Sequence, residues 1–245
     1  DFLGLKTLDV LADAEAMAAE AGQALPEDPS FGDAAAYALL AKGDAFGVFQ
    51  LESDGMRAAL REVCPDRFED LVALVSLYRP GPIAQISAYA AVKHGRQAME
   101  PPHPSISGIL AETNGVIVYQ EQVMEIARTV AGYTLAQADL LRRAMGKKIR
   151  SELDAQRQVF LDGAAKRGIG AEDAGRIFAL LAKFADYGFN KSHAAAYAAL
   201  SYRAARLSAR RPAAFFAALL QHDRDDADRL AVIGQEARRR GVRVL

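Results

Sequence analysis

The sequence lacks most of the features that mark a small secreted or membrane protein. It holds a single cysteine, Cys64, which excludes a disulfide framework and leads us to expect a reducing compartment. No run of about 18 apolar residues occurs, so no membrane-spanning helix is expected. The opening Asp1-Phe2-Leu3-Gly4-Leu5 has neither a basic region nor a long apolar stretch, and reads as no secretory signal. Nor does the chain begin with methionine, so a piece of a longer protein is expected. Its four histidines have no cysteine or second histidine at zinc-ligand spacing. Asp223, Asp225, Asp226 and Asp228 lack the glycine that a calcium loop needs, and suit the start of a helix. Gly168-Ile169-Gly170 with Gly175 misses the dinucleotide spacing, and Gly146-Lys147 lacks the earlier glycine of a phosphate loop. No serine, histidine and acid group as a nucleophilic triad.

What is present is ordinary globular material: 245 residues, 51% apolar and 25% charged, enough to bury a sizeable core. The net charge of −1 conceals a strong asymmetry. Residues 1–33 carry eight acids against Lys6 alone, whereas residues 142–211 carry fifteen cations against six acids. One surface suited to an anion is expected, together with another facing solvent, a cation or a neighbouring domain. A set of solvated helix faces is the plainer alternative.

Helical spacing dominates the chain. Asp33 caps a helix that stops at Gly43, a second covers Ser53 to about Val63, and Asp66 caps a third over Arg67–Tyr78. Arg79-Pro80-Gly81-Pro82 breaks it, and another helix spans Ile83–Lys93 before a proline-rich loop over 96–105. Val116–Tyr119 reads either as a short strand or as the buried lead into a helix ending at Gly132. Thr134 and Gln137 form a capping box for a helix through Met145, stopped at Gly146. Further helices cover Ser151–Lys166, Ala171–Phe184, Ser192–Arg210, Phe215–Gln221 and Asp226–Arg240. An all-α fold follows, with the N-terminal segment as a possible second unit.

Two clusters carry chemistry. In the first, Arg142, Arg143, Lys147, Lys148 and Arg150 place five cations in nine residues with no acid between them. Such a helix end suits a polyphosphate, because Arg grips phosphate oxygens through a planar fork. The alternative is a cationic helix terminus complementing its own dipole. The second, Tyr187-Gly188-Phe189-Asn190-Lys191-Ser192-His193, sets an aromatic face, a lysine and three hydrogen-bonding side chains at a helix start. There the alternative makes Phe189 a core residue and Ser192 an N-cap. Arg203, Arg206, Arg210 and Arg211 add a basic stripe on the next helix, which could follow a nucleic-acid backbone.

Six blocks, in order along the chain, resemble the bacterial DNA polymerase III alpha subunit family. They are Asp1–Leu8, Gly47–Ser53, Arg79–Pro82, Tyr119–Met124, Leu141–Lys148 and Tyr187–His193. The resemblance implies a mainly α, multi-helix fingers domain of a C-family polymerase with at most a few short strands. Residues 1–32 would be the end of the palm, 33–240 the fingers, and 241–245 the start of the following segment. Ser208-Ala209-Arg210-Arg211-Pro212 departs from the family pattern by losing an aromatic residue while keeping charge.

The same resemblance implies roles. Asp1 matches a palm carboxylate that helps hold catalytic magnesium, its two partners lying outside this chain. Arg142 and Arg143 match arginines approaching the triphosphate of the incoming nucleotide, Lys147 and Lys148 extend that surface, and Tyr187, Asn190, Lys191, Ser192 and His193 match a loop near the nascent base pair. Arg203, Arg206, Arg210 and Arg211 are assigned to DNA on their basic stripe and not on the resemblance. The implied partners are primer-template DNA, deoxynucleoside triphosphates, the rest of the subunit and, through missing regions, a sliding clamp and other replicase subunits in a bacterial cytoplasm. The implied function is DNA-directed DNA synthesis by the complete subunit, with this chain inactive alone. A non-catalytic helical nucleic-acid-binding module is the alternative reading.

Overall fold

The computed structural model describes residues 4–147, 150–185 and 187–244, with side chains for all of these but 145–147, 150–152 and 185. Thirteen α-helices account for most of the described residues, and the only β pairing among them is a single parallel bridge between Tyr119 and Phe189. Packing divides the chain into two units, Asp1–Val75 with Ala195–Leu245, and Ser76–Ala194.

The first unit contains α1 (Lys6–Glu20), α2 (Ala34–Ala41), α3 (Asp54–Val63), α12 (Pro212–His222) and α13 (Ala227–Arg239). It also holds most of α4 (Phe68–Leu77) and of α11 (Lys191–Arg210). Local signals set several ends. The Asp33 carboxylate accepts from Ala35 N at 2.9 Å and caps its helix as expected, while Ser53, expected as the first residue of a helix, is instead its cap, Oγ accepting from Met56 N at 3.3 Å. Helix α1 is not among the helices expected from sequence, because Leu5 precedes it with no capping side chain. Its stability comes from packing: Val10, Leu11, Ala14 and Ala18 form a buried stripe, and the helix lies against α12. Helix α12 begins at Pro212 rather than Phe215, since a proline at the first helical position forfeits no internal hydrogen bond.

The second unit is built around α7 (Gln120–Ala131), against which α8 (Leu135–Lys147), α9 (Arg150–Lys166) and α10 (Ala171–Ala185) pack. Val123, Ile126, Val130, Leu141, Phe160, Ile177 and Leu181 are all but fully buried there. Each such side chain contributes about 1.5–3 kcal/mol relative to exposure. Thr134 Oγ1 accepts from Gln137 N at 3.2 Å while Gln137 Oε1 accepts from Thr134 N at 2.8 Å, the expected capping box of α8. The helix runs one residue past Gly146. The span before α5 (Ile86–Lys93) is a short 3₁₀ turn, Pro82–Gln85, and the proline-rich loop is followed by Pro104–Ile106 and α6 (Ser107–Ala111).

Candidate functional site

Val116–Tyr119 is the buried lead into α7 and not a strand, its one β feature being the isolated bridge from Tyr119 to Phe189. Phe189 N donates to Val118 O at 3.0 Å, and Gln120 N donates to Phe189 O at 3.0 Å. The lead is held from behind by Gln122, which is nearly buried. Its Oε1 accepts from Val118 N (2.8 Å) and Tyr119 N (3.0 Å), while its Nε2 donates to Thr113 Oγ1 (2.7 Å) and Ile109 O (3.1 Å). One amide thereby fills all four of its hydrogen-bonding positions. Breaking that set would strand buried backbone donors, each costing about 1–3 kcal/mol.

The bridge brings the second sequence cluster to the start of α7. Gln120 Nε2 donates to Gly188 O at 3.1 Å. Glu121, in the first turn of α7, accepts from Lys191 N with both carboxylate oxygens at 3.1 Å, giving a negative partner to the N-terminus of α11. Lys191 Nζ lies 2.6 Å from Glu112 and 5.5 Å from the centre of the Tyr119 ring. Asn190, not Ser192, caps α11: its Oδ1 accepts from His193 N at 2.8 Å. Phe189 is half-buried rather than core, with the Arg79 guanidinium 4.7 Å from its ring centre and the His193 ring at 5.5 Å edge-on. Tyr187, Asn190, Ser192 and His193 are exposed.

Arg79 fixes the other end of this loop. It donates through Nε to Ser76 O at 2.7 Å and through Nη2 to Tyr187 O. Burial pulls its pKa below the usual arginine value. The Tyr187 ring lies on Gly81, where an added Cβ would stand 2.5 Å from Tyr187 Cε1, and Gly81 has a φ of +97°. Only glycine meets both demands.

Helix α8 presents Arg142 and Arg143 on the same acid. Arg142 donates to Asp139 Oδ1 through Nε (3.0 Å) and Nη2 (2.8 Å), and Arg143 Nε lies 2.8 Å from Asp139 Oδ2. The hydrogen bond from Arg142 is the main cause holding the Asp139 carboxyl below its ordinary pKa. Arg142 Nη1 also donates to Gln120 Oε1 at 3.3 Å. Arg143 remains 63% exposed, against 27% for Arg142. The structure therefore joins Arg142 to the Tyr187–His193 loop through a residue, Gln120, for which the sequence offered no role. The signal was available only as part of the Tyr119–Met124 block. Lys148 lies outside the described residues, as does the side chain of Lys147.

The remaining candidate arginines, Arg203, Arg206, Arg210 and Arg211, belong to the first unit and each has a partner there. Arg203 contacts Glu15 at 2.8 Å, Arg206 donates to Asp33 (3.2 Å) and Pro26 O (2.6 Å), Arg210 contacts Asp33 at 2.9 Å, and Arg211 donates to Gln23 O at 2.5 Å. The acidic N-terminal stretch and part of the basic stretch thus neutralise one another internally. Nearby, a cavity of about 450 Å³ is lined by Leu25, Asp28, Phe31, Tyr202 and Arg206. Asp28 accepts from Ser30 at 2.6 Å and from the Tyr202 hydroxyl, which lowers its pKa to about 2. Among the described residues no group of three His, Cys, Asp or Glu side chains could hold a metal ion, and Asp1 lies outside them. None of the described helices is long and apolar enough to cross a membrane.

Comparison with known proteins gives the family of the chain. A model of the bacterial DNA polymerase III alpha subunit finger domain matches residues 7–168, a span that includes Arg79, Gln120, Arg142 and Arg143. The whole chain is 52% identical over 245 residues to the DNA polymerase III subunit alpha of Caulobacter vibrioides. It is 47% identical over 246 residues to that of Rickettsia conorii and 49% identical over 252 residues to that of Thermus aquaticus. In each case all of this chain is covered but only 21% of the relative, so the chain spans about a fifth of the length of the proteins it matches.

Proposed function

The chain belongs to the bacterial DNA polymerase III alpha subunit finger domain family, and from that membership we propose that it forms the nucleotide-receiving part of a replicative DNA polymerase. In this reading Arg142 and Arg143, extended by Lys147 and Lys148, meet the triphosphate of the incoming deoxynucleotide. Tyr187, Asn190, Lys191, Ser192 and His193 lie beside the base pair being formed. The observation that carries the reading is the Tyr119–Phe189 bridge, because it ties the exposed loop to the same residue, Gln120, that accepts from Arg142.

The chemistry suits a polyanion. Arg142 and Arg143 share Asp139, so a phosphate entering there competes for guanidinium groups already aligned rather than for free side chains. Arg203 and Arg210 keep 48% and 49% of their side chains exposed and can also meet a DNA phosphate, whereas Arg206 is committed to Asp33 and Pro26. Arg211 holds Gln23 O and would have to exchange that contact for DNA. The division into palm end (1–32), fingers (33–240) and following segment (241–245) belongs to the same proposal. So do DNA synthesis by the whole subunit, its sliding clamp and replicase partners, and a cytoplasmic setting. Asp1 would supply one carboxylate to a magnesium pair completed outside this chain, and the chain alone would then extend no primer.

Photocrosslinking tests the placement. A photoreactive group on the γ-phosphate of the correct nucleotide, bound by the full-length polymerase on primer-template, is expected to label α8 between residues 139 and 147 or the 187–193 loop. Labelling confined to other parts of the subunit would overturn the proposal.

A further inference from the structure

We propose that Gln120 is a positioning residue, whose side-chain amide locks the Arg142 guanidinium and the Gly188–Phe189 turn into one register. The inference rests on the nucleotide-receiving role proposed above for Arg142 and names a residue that sets it.

The geometry is over-determined. Gln120 meets the turn twice, through its backbone N–H to Phe189 O (3.0 Å) and through Nε2 to Gly188 O (3.1 Å). Its Oε1 takes the Arg142 Nη1 proton at 3.3 Å. These partners also fix which way the amide points. A carbonyl can only accept, so Nε2 must face Gly188 O, and a guanidinium can only donate, so Oε1 must face Arg142. The reversed amide would set oxygen against oxygen and NH₂ against guanidinium. Gln120 therefore reads both neighbours at once, and no other uncharged side chain of that length offers one donor and one acceptor on the same planar group.

The consequence concerns Arg142 directly. Asp139 holds one edge of its fork, through Nε and Nη2, and Gln120 holds Nη1. Three guanidinium N–H groups are thereby committed, and the plane of the fork is set by contacts at two edges. Two N–H groups, one on each Nη, are left over, and the fork that carries them is held in one orientation. Without Gln120 the guanidinium keeps Asp139 but can rotate about that edge, and the turn keeps its backbone pairing but loses its link to α8. An interaction that orients a binding group in advance shows itself mainly as affinity for the ligand which that group receives.

A double-mutant cycle in the full-length polymerase tests this, with Gln120→Ala, Arg142→Ala and the pair measured for correct-nucleotide incorporation on primer-template. Gln120→Ala is expected to raise the nucleotide KM about three- to tenfold with kcat changed less, as for the loss of one orienting hydrogen bond. In the Arg142→Ala background the same change should add little further increase, because the group it positions is gone. Gln120→Glu keeps an acceptor for Arg142 but sets an oxygen against Gly188 O. It should raise KM less than Gln120→Ala if Arg142 is the group that matters. A purely structural role gives a different pattern: kcat falls as active enzyme is lost, KM stays, and the effect is the same in both backgrounds. That pattern, or full additivity in KM, overturns the proposal while leaving the role of Arg142 standing. An unchanged KM in Arg142→Ala alone overturns both.

Discussion

Gly188 passes so close to Gln120 that a Cβ built on it would lie 3.1 Å from Gln120 Cγ and 3.4 Å from Gln120 Cα and N. The close approach is what lets the turn pair with the start of α7. Gly188→Ala is therefore expected to push the turn off α7 and lower stability by about 1–3 kcal/mol, the usual cost of overpacking. Urea unfolding of the chain checks the stability. Hydrogen exchange at the Phe189 amide, whose acceptor is Val118 O at 3.0 Å, should accelerate in the same variant.

Asp33 performs two tasks in the first unit. It caps α2 through Ala35 N and accepts from Arg206 and Arg210, with only 8% of its side chain exposed. Asp33→Ala should cost roughly 2–4 kcal/mol, a lost cap plus a half-buried arginine that loses its carboxylate and keeps only Pro26 O. Arg210→Ala, at the exposed side of the pair, should cost about 1 kcal/mol or less. Thermal melting of both variants compares the two. Similar small losses would mean that the network is a surface one.

The helices legible in the sequence are those whose signals are local: Asp33 as a cap, Ser53 as a helix start, Thr134 with Gln137 as a box, the Arg79–Pro82 break. Helix α1 escaped because its start has no cap and its stripe of Val10, Leu11, Ala14 and Ala18 is half alanine, which packs well but marks no face strongly. The bridge escaped for a different reason. Tyr119 and Phe189 are seventy residues apart, and two backbone hydrogen bonds leave no trace in side-chain spacing. Both clusters were visible as residue types, yet their joining through Gln120 was not, because a polar residue at a helix start reads as ordinary solvation. Charge counting had the opposite weakness: it registered an acidic N-terminal stretch and a basic later one but could not show that Arg203, Arg206 and Arg210 face Glu15 and Asp33.

Asp28 makes part of the stability of the first unit acid-sensitive. Its pKa is lowered to about 2 from 3.8, first by the Ser30 hydroxyl and then by that of Tyr202. A depressed carboxyl favours folding above its ordinary pKa, and the benefit is lost as pH falls through the folded value. Melting temperature should accordingly decline between about pH 4 and pH 2 from this group. Ser30→Ala, which removes the larger of the two donors, should make that decline shallower while leaving the melting temperature at pH 7 slightly lower. An identical pH profile in the variant would show that Asp28 does not contribute.

The central claim is that Arg142 and Arg143 receive the triphosphate, and the most direct measurement is nucleotide kcat/KM for the Arg142→Ala/Arg143→Ala double variant of the full-length polymerase. Charge-assisted contacts are worth about 1.5–3 kcal/mol each, so the account predicts a loss of roughly tenfold or more. Primer-template affinity and its salt dependence should barely change. Were the arginines on DNA instead, duplex affinity would fall and the salt slope would flatten by about one unit per lost phosphate contact. Were they only helix-end charges, stability alone would move, by under roughly 1 kcal/mol each. An unchanged kcat/KM for nucleotide contradicts the account.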